Sequence, residues 1–149
     1  MARTLAENLL FASLAINAAL LVFIAGVLRK VMNDMHEAEF KHFVALLVRH
    51  SKRSPFMLTV LNIPLFGAIP YCYFYGFARG WLLSGIALWL VAGAIGKTMK
   101  LPIYKVVSTL EVGDLTRLRE ARQKLNAGNM LQAILNSVAV LLAFVSFVG

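Results

Sequence analysis

The residues best suited to chemistry sit close together. All three histidines, His36, His42 and His50, fall in one polar stretch with Asp34, Glu37 and Glu39. On a helix, residues three apart share a face, so His36, Glu39 and His42 could offer two imidazoles and a carboxylate to a metal ion. Glu-x-x-His is a di-iron ligand element, but such sites draw it from two helices and add two further carboxylates. Here it occurs once, and the second polar segment supplies only Glu111, Asp114 and Glu120. A solvated polar face is the plainer reading of the cluster. Cys72 stands alone in an aromatic run, with no second cysteine for a disulfide or a zinc spacing. The sequence holds no Gly-rich phosphate loop, Ser–His–Asp set or dinucleotide fingerprint. No cofactor is named by these residues.

The elements that must position them are membrane helices. Of 149 residues, 60% are hydrophobic and 15% charged, with a mean hydropathy of +0.74. Soluble domains hold roughly 45–50% apolar and about 25% charged residues, so disorder and an ordinary water-soluble globule are excluded. Four apolar runs approach the roughly 20 residues a membrane helix needs. They are Asn8 to Leu28, Pro55 to Phe77, Trp81 to Gly96 with an extension to Met99, and Gly128 to Val148. The expected fold is all-α. It is one integral membrane domain over residues 1–149, a four-helix bundle with spans at 8–28, 55–77, 81–99 and 128–148. Segments 29–54 and 100–127 are expected to carry helical extensions outside the membrane.

Charge sets the expected orientation. The chain has 15 Lys and Arg against 7 Asp and Glu, a net charge of +8. Six basic residues lie between Arg29 and Arg53 and seven between Lys97 and Ala127, while the N-terminal tail and the 77–80 turn have only Arg3 and Arg79. By the positive-inside rule both basic loops are cytoplasmic and both termini periplasmic, as in a multi-pass bacterial inner-membrane protein. The first span reads as a retained anchor, because it is too long for a signal peptide and its basic pair, Arg29-Lys30, follows it. Basic loops beside a membrane imply contact with the bilayer's anionic lipid headgroups. No basic run is interleaved with stacking aromatics, so nucleic acid is not an expected partner.

Within the first loop nothing between Gly26 and Pro55 breaks a helix, so the first span should run on, or bend to lie on the membrane. Ser54-Pro55 then starts the second span as cap and first helical residue. In the second loop Ile103 to Glu111 forms a short helix, and Asp114 caps another. That helix carries Leu115, Leu118, Ala121 and Leu125 on one side and Arg117, Arg119, Arg122 and Lys124 on the other. Lys97 and Lys100 are expected to reach to the interface.

Inside the spans the polar residues singled out are the amides Asn17, Asn62 and Asn136. Amides in lipid commonly bond across helices and hold a bundle together. Pro64 and Pro70 remove the hydrogen bonds to the carbonyls of Val60 and Phe66, leaving groups that another helix or a ligand must satisfy. Asn62 lies in this irregular span and is a candidate ligand contact. Small pairs at four-residue spacing, Ala15/Ala19, Ala92/Gly96 and Ala133/Ser137, mark candidate contact faces. The aromatic cluster from Tyr71 to Trp81 reads as an interfacial belt.

The run Leu101-Pro-Ile-Tyr-Lys105, then Leu110-Glu-Val-Gly-Asp114, then Arg122-Gln-Lys-Leu-Asn-Ala-Gly-Asn129 leads into the last span. With the overall plan of spans and long segments, it resembles the anthrone-oxygenase-like family of small four-helix membrane proteins. The likeness lies mainly in Pro102 to Gln132 and lacks the family's tryptophan before the last span. It implies that Pro102, Arg122, Asn126 and Asn129 form a polar cluster at the cytoplasmic boundary, and that some members oxygenate polycyclic phenolic substrates. Leu61-Asn-Ile-Pro-Leu-Phe66, the four spans and the high pI are also similar to the membrane-associated glutathione- and eicosanoid-metabolising family. That family has a Glu where this chain has Leu61 and lacks a long segment between spans three and four.

The expected function is that of a small accessory subunit or a lipid- or quinone-binding module, as a homo-oligomer or within a larger membrane complex. The alternative is an oxygenase-like enzyme acting on a hydrophobic aromatic substrate at the cytoplasmic face. There Arg122, Asn126 and Asn129 would orient the substrate, and His36, Glu39 and His42 would hold any metal.

Overall fold

A chain in hydrocarbon must satisfy its own backbone N–H and C=O groups, and long apolar runs do so as helices. A computed structural model describes residues 1–148, apart from the side chain of Lys52; Gly149, the last residue of the expected domain, lies outside the described residues. Five helices follow in order: α1 (Ala2–Asp34), α2 (Glu37–Arg53), α3 (Pro55–Tyr75), α4 (Gly80–Thr109) and α5 (Leu115–Val148). The described residues contain no strand. Helices α1, α3, α4 and α5 are long and apolar enough to cross a membrane.

These four alternate in direction. At one end Glu7 of α1, Tyr71 of α3, Arg79 just before α4 and Ser146 of α5 meet through hydrogen bonds. At the other, Asn33 of α1 meets Arg122 and Asn126 of α5, and Lys41 of α2 meets the carbonyl of Leu110 after α4. The first is the terminal end and the second the basic end.

Helices α4 and α5 share the most extensive contact, α1 packs on α5 and α3, and α3 lies outermost. Only Pro64, Ala68 and Tyr71 of α3 are buried, while Phe56, Phe66 and Phe74 face outward. The α4–α5 contact is close because the buried stripe of α5 from Gly128 on is small and polar: Gly128, Asn129, Ala133, Asn136, Ala139, Ala143 and Ser146. A Cβ at Gly85 would lie 2.5 Å from the carbonyl oxygen of Ala139, and one at Gly96 would lie 2.1 Å from Nε2 of Gln132. Small residues replace apolar bulk here because close van der Waals packing, not escape from water, joins helices in lipid. Ala92, Gly96 and Ala133 lie on the buried faces, whereas Ala19 of the expected Ala15/Ala19 pair is exposed.

Three expectations are corrected in the connecting segments. The first loop does break, at Met35–His36: both are extended, and the Glu39 carboxylate accepts the His36 backbone N–H at 2.9 Å to cap α2. The short helix expected at Ile103 to Glu111 is instead the end of α4, which passes through Pro102 to Thr109. The helix expected after Asp114 and the fourth span are one helix, α5. Gly128 does not interrupt it, and the aliphatic stem of Lys100 packs over that position. As expected, the Ser54 hydroxyl accepts the Met57 N–H at 3.3 Å, with Pro55 opening α3. Gly76 closes α3 with φ of 69°, a positive-φ conformation that glycine adopts without steric cost and that turns the chain towards α4.

Helix α2 does not lie alone on a membrane surface. Phe40 and Val44 are sealed against Val107, Leu110, Leu118, Ala121 and Leu125, with Met32 closing the cluster. This apolar core seats α2 as a cap on the basic end. A second core, around Leu10, Leu14, Leu82, Ile86 and Ala143, holds the terminal end.

Candidate ligand-binding site

The cap leaves a cavity of about 570 Å³ at the basic end. Leu20, Phe23, Ile24 and Leu28 of α1, Phe43, Leu47 and Val48 of α2, and Leu125 of α5 give it an apolar wall. One stretch of α1, Ile24–Leu28, widens to a π-helical turn, and two of its residues line the space. Such an inserted residue shifts the register of the helix after it, and these turns are frequent at functional sites. Ser51, His50 and Ser54 from the α2–α3 corner, with Tyr104 of α4, provide polar groups.

The charged group inside is Lys100. Its ammonium donates to Oδ1 of Asn129 at 3.2 Å and to Oε1 of Gln132, whose amide in turn donates to the Ala92 carbonyl at 3.1 Å. The expectation that Lys100 extends to the interface is therefore corrected: its side chain crosses Gly128 and turns inward to α5. Among the described residues it forms no salt bridge. Two amide oxygens accept from it, and neither carries a charge to offset its own.

The polar cluster implied by the family resemblance is divided. Asn129 faces Lys100 and this cavity. Arg122 and Asn126 line a separate, polar cavity with Arg29, Asn33, Glu37, Arg119 and Gln123. There Arg122 Nη1 donates to the Asn33 carbonyl at 3.3 Å, its guanidinium lies 4.7 Å from the Phe40 ring centre, and Asn126 Nδ2 donates to Asn33 Oδ1 at 2.7 Å. Arg122 is 9% exposed and buried like Leu118, Ala121 and Leu125, whereas Leu115 is exposed, so the expected division between a Leu115, Leu118, Ala121 and Leu125 side and an Arg117, Arg119, Arg122 and Lys124 side is corrected. Pro102 is exposed in α4 and lines neither cavity.

The remaining candidates lie elsewhere. Asn62 borders a groove of about 790 Å³ between α1 and α3 and donates to the Leu58 carbonyl of its own helix. Asn136 likewise bonds within its helix, to Gln132, so of Asn17, Asn62 and Asn136 only Asn17 reaches across, to Val60. His36, Glu39 and His42 stand at the start of α2, where Glu39 is engaged as a cap. No three His, Cys, Asp or Glu side chains among the described residues are grouped to hold a metal ion. Glu37 is 2.6 Å from Arg119 Nε. That hydrogen bond, helped by a backbone N–H, holds the Glu37 carboxyl below the usual carboxylate range.

Sequence reasoning passed over Lys100, Gln132, Arg29 and Asn33. The signal for the α5 residues was present: Leu118, Arg122, Leu125, Asn129 and Gln132 follow three- and four-residue steps, so the polar members continue the apolar stripe. No protein-family model, curated protein or solved structure matches this chain.

Proposed function

We propose that the protein is a membrane-embedded binding module that takes a hydrophobic ligand with a polar, electron-rich head, a quinone or a lipid, at the cytoplasmic side of an inner membrane. The observation that carries this reading is the Lys100 ammonium, held by neutral amides at the edge of an apolar cavity of about 570 Å³. Ligand cavities commonly span about 300–1,000 Å³, with apolar walls and a few placed polar groups. An ammonium without a carboxylate favours a carbonyl, phenolate or phosphate oxygen, since in a low dielectric a charge is costly until it is met. The ligand's tail would lie along Leu20, Phe23 and Ile24, and its head would meet Lys100, with His50 and Tyr104 near it. Such a module suits an accessory role for so small a polytopic chain, as a homo-oligomer or within a larger membrane complex.

The test is equilibrium binding of a short-tailed quinone to the full chain in phosphatidylcholine nanodiscs. Saturable binding that weakens about tenfold in Lys100→Met and is retained in Lys100→Arg is expected, matching the loss of one charge-assisted hydrogen bond. Absence of saturable binding of either the quinone or an added phospholipid contradicts the reading. Turnover of a polycyclic phenol by the same preparation would favour the oxygenase alternative instead.

A further inference from the structure

The polar cavity at the basic end holds more positive charge than its own residues answer. It is about 470 Å³ in volume and is lined by Arg29, Arg119 and Arg122 against one carboxylate, Glu37. Glu37 is engaged with Arg119 at 2.6 Å, and among the described residues no carboxylate forms a salt bridge with Arg29 or Arg122. Arg122 is more than nine-tenths buried, yet among the described residues its Nε and Nη2 have no hydrogen-bond partner, and neither does the buried Nε of Arg29. Only Nη1 of Arg122 is bonded, to the Asn33 carbonyl. A buried cation costs free energy unless it is paired, and a guanidinium edge with two free N–H groups matches two oxygens of a tetrahedral oxyanion. Oδ1 of Asn126 is also buried and unpartnered, so an acceptor lies beside the donors.

We infer that Arg29, Arg122 and Asn126 form a phosphate-recognition site. The guanidinium groups take the phosphate oxygens, and Asn126 Oδ1 takes a hydroxyl, from a phosphate monoester or from the head of a phospholipid. Arg119 and Gln123 are exposed and form the rim, long enough to fold over a bound oxygen. The site lies where the long apolar run of α1 ends at Arg29, and it shares no lining residue with the Lys100 cavity. It therefore stands whether or not that cavity binds a quinone or lipid.

The experiment uses the full chain in a neutral maltoside detergent and measures binding by native mass spectrometry and thermal shift. The probes are inorganic phosphate and dioctanoyl phosphatidic acid, applied to wild type and to Arg29→Gln, Arg122→Gln and Arg49→Gln, the last an exposed arginine outside the site. Binding of at least one probe, weakened about tenfold or more by Arg29→Gln and unchanged by Arg49→Gln, supports the site. Binding of phosphatidic acid alone makes the ligand a lipid headgroup, and equal binding of inorganic phosphate makes it a soluble phosphate. Arg122→Gln should act like Arg29→Gln; should it fail to fold, Arg29→Gln against Arg49→Gln still decides the matter. No binding of either probe, or equal loss in Arg49→Gln, overturns the proposal.

Discussion

The side-chain amide of Asn17 donates to the Val60 carbonyl at 2.9 Å, across the α1–α3 contact. Pro64, four residues on, has no N–H to give that carbonyl. The same amide also donates to Ser13 O at 2.9 Å, so both its protons are used and Asn17 is buried at 1% exposure. One polar residue in the first span thus repairs the backbone of another helix, and it pins the otherwise loosely held α3.

Asn17→Leu is accordingly expected to lower stability by about 1–2 kcal/mol, because it strands a buried carbonyl. Pro64→Ala supplies Val60 with an intrahelical N–H, so the double variant should recover most of the loss. Detergent-resistant thermal unfolding of the two single variants and the pair measures the coupling. Additive effects in that cycle would show that the two residues do not act through the same carbonyl.

The spans, the Ser54-Pro55 start and the need to repair the Val60 carbonyl were legible in the sequence because each follows from local backbone chemistry. The identity of the repairing group was not, since Asn17, Asn62 and Asn136 look alike until helix rotation is known. Asn62 and Asn136 turn their amides to their own helices. The division of the Arg122–Asn129 cluster was hidden for a related reason. Residues seven apart on α5 lie on one stripe, but the end of α1 stands between them: Met32 faces one cavity and Asn33 the other. Only packing reveals such a wall. The break before His36 also escaped notice, because neither Gly nor Pro marks it and a glutamate cap does.

The α4–α5 contact predicts graded effects of added methyl groups. Gly85→Ala meets the backbone oxygen of Ala139, which cannot move without shifting α5, and is expected to cost about 1–3 kcal/mol. Gly96→Ala meets the flexible Gln132 side chain and should cost less while disturbing the Lys100 bond. At Gly93 there is open space, so Gly93→Ala should be neutral or stabilising through helix propensity. Melting temperatures ordered Gly93→Ala, Gly96→Ala, Gly85→Ala from highest to lowest check this.

At the terminal end one carboxylate oxygen of Glu7 accepts from Arg3 at 2.9 Å, Tyr71 at 2.8 Å and Arg79 at 3.3 Å, and Arg79 also donates to the Ser146 carbonyl at 2.8 Å. This clasp joins α1, α3, the α3–α4 turn and α5. Glu7→Ala is expected to lower stability by about 1–2 kcal/mol, discounted because both arginines are partly exposed. Hydrogen exchange should then rise first around Tyr71 to Arg79, and an unchanged exchange profile would count against the clasp.

Glu37 predicts a pH dependence for the seating of α2. Its carboxyl is lowered in the folded protein from the ordinary 4.5, chiefly by the Arg119 hydrogen bond. The stabilisation is therefore fully present above about pH 4.5 and is lost as pH falls through the lower folded value. Protease protection of the α2 segment, followed from neutral to acid pH, should drop in that window in wild type. In Glu37→Gln it should be reduced already at neutral pH, with no further drop over that window.

The central claim is that the Lys100 cavity is a ligand site, and its most direct test is to fill it. Leu47→Trp places an indole in the cavity from α2 while leaving Lys100, Asn129 and Gln132 in place. Native mass spectrometry of wild type released from its own membranes is predicted to show an added mass of a quinone or lipid, absent from Leu47→Trp. The same bound mass at the same occupancy in a folded Leu47→Trp protein would contradict the account.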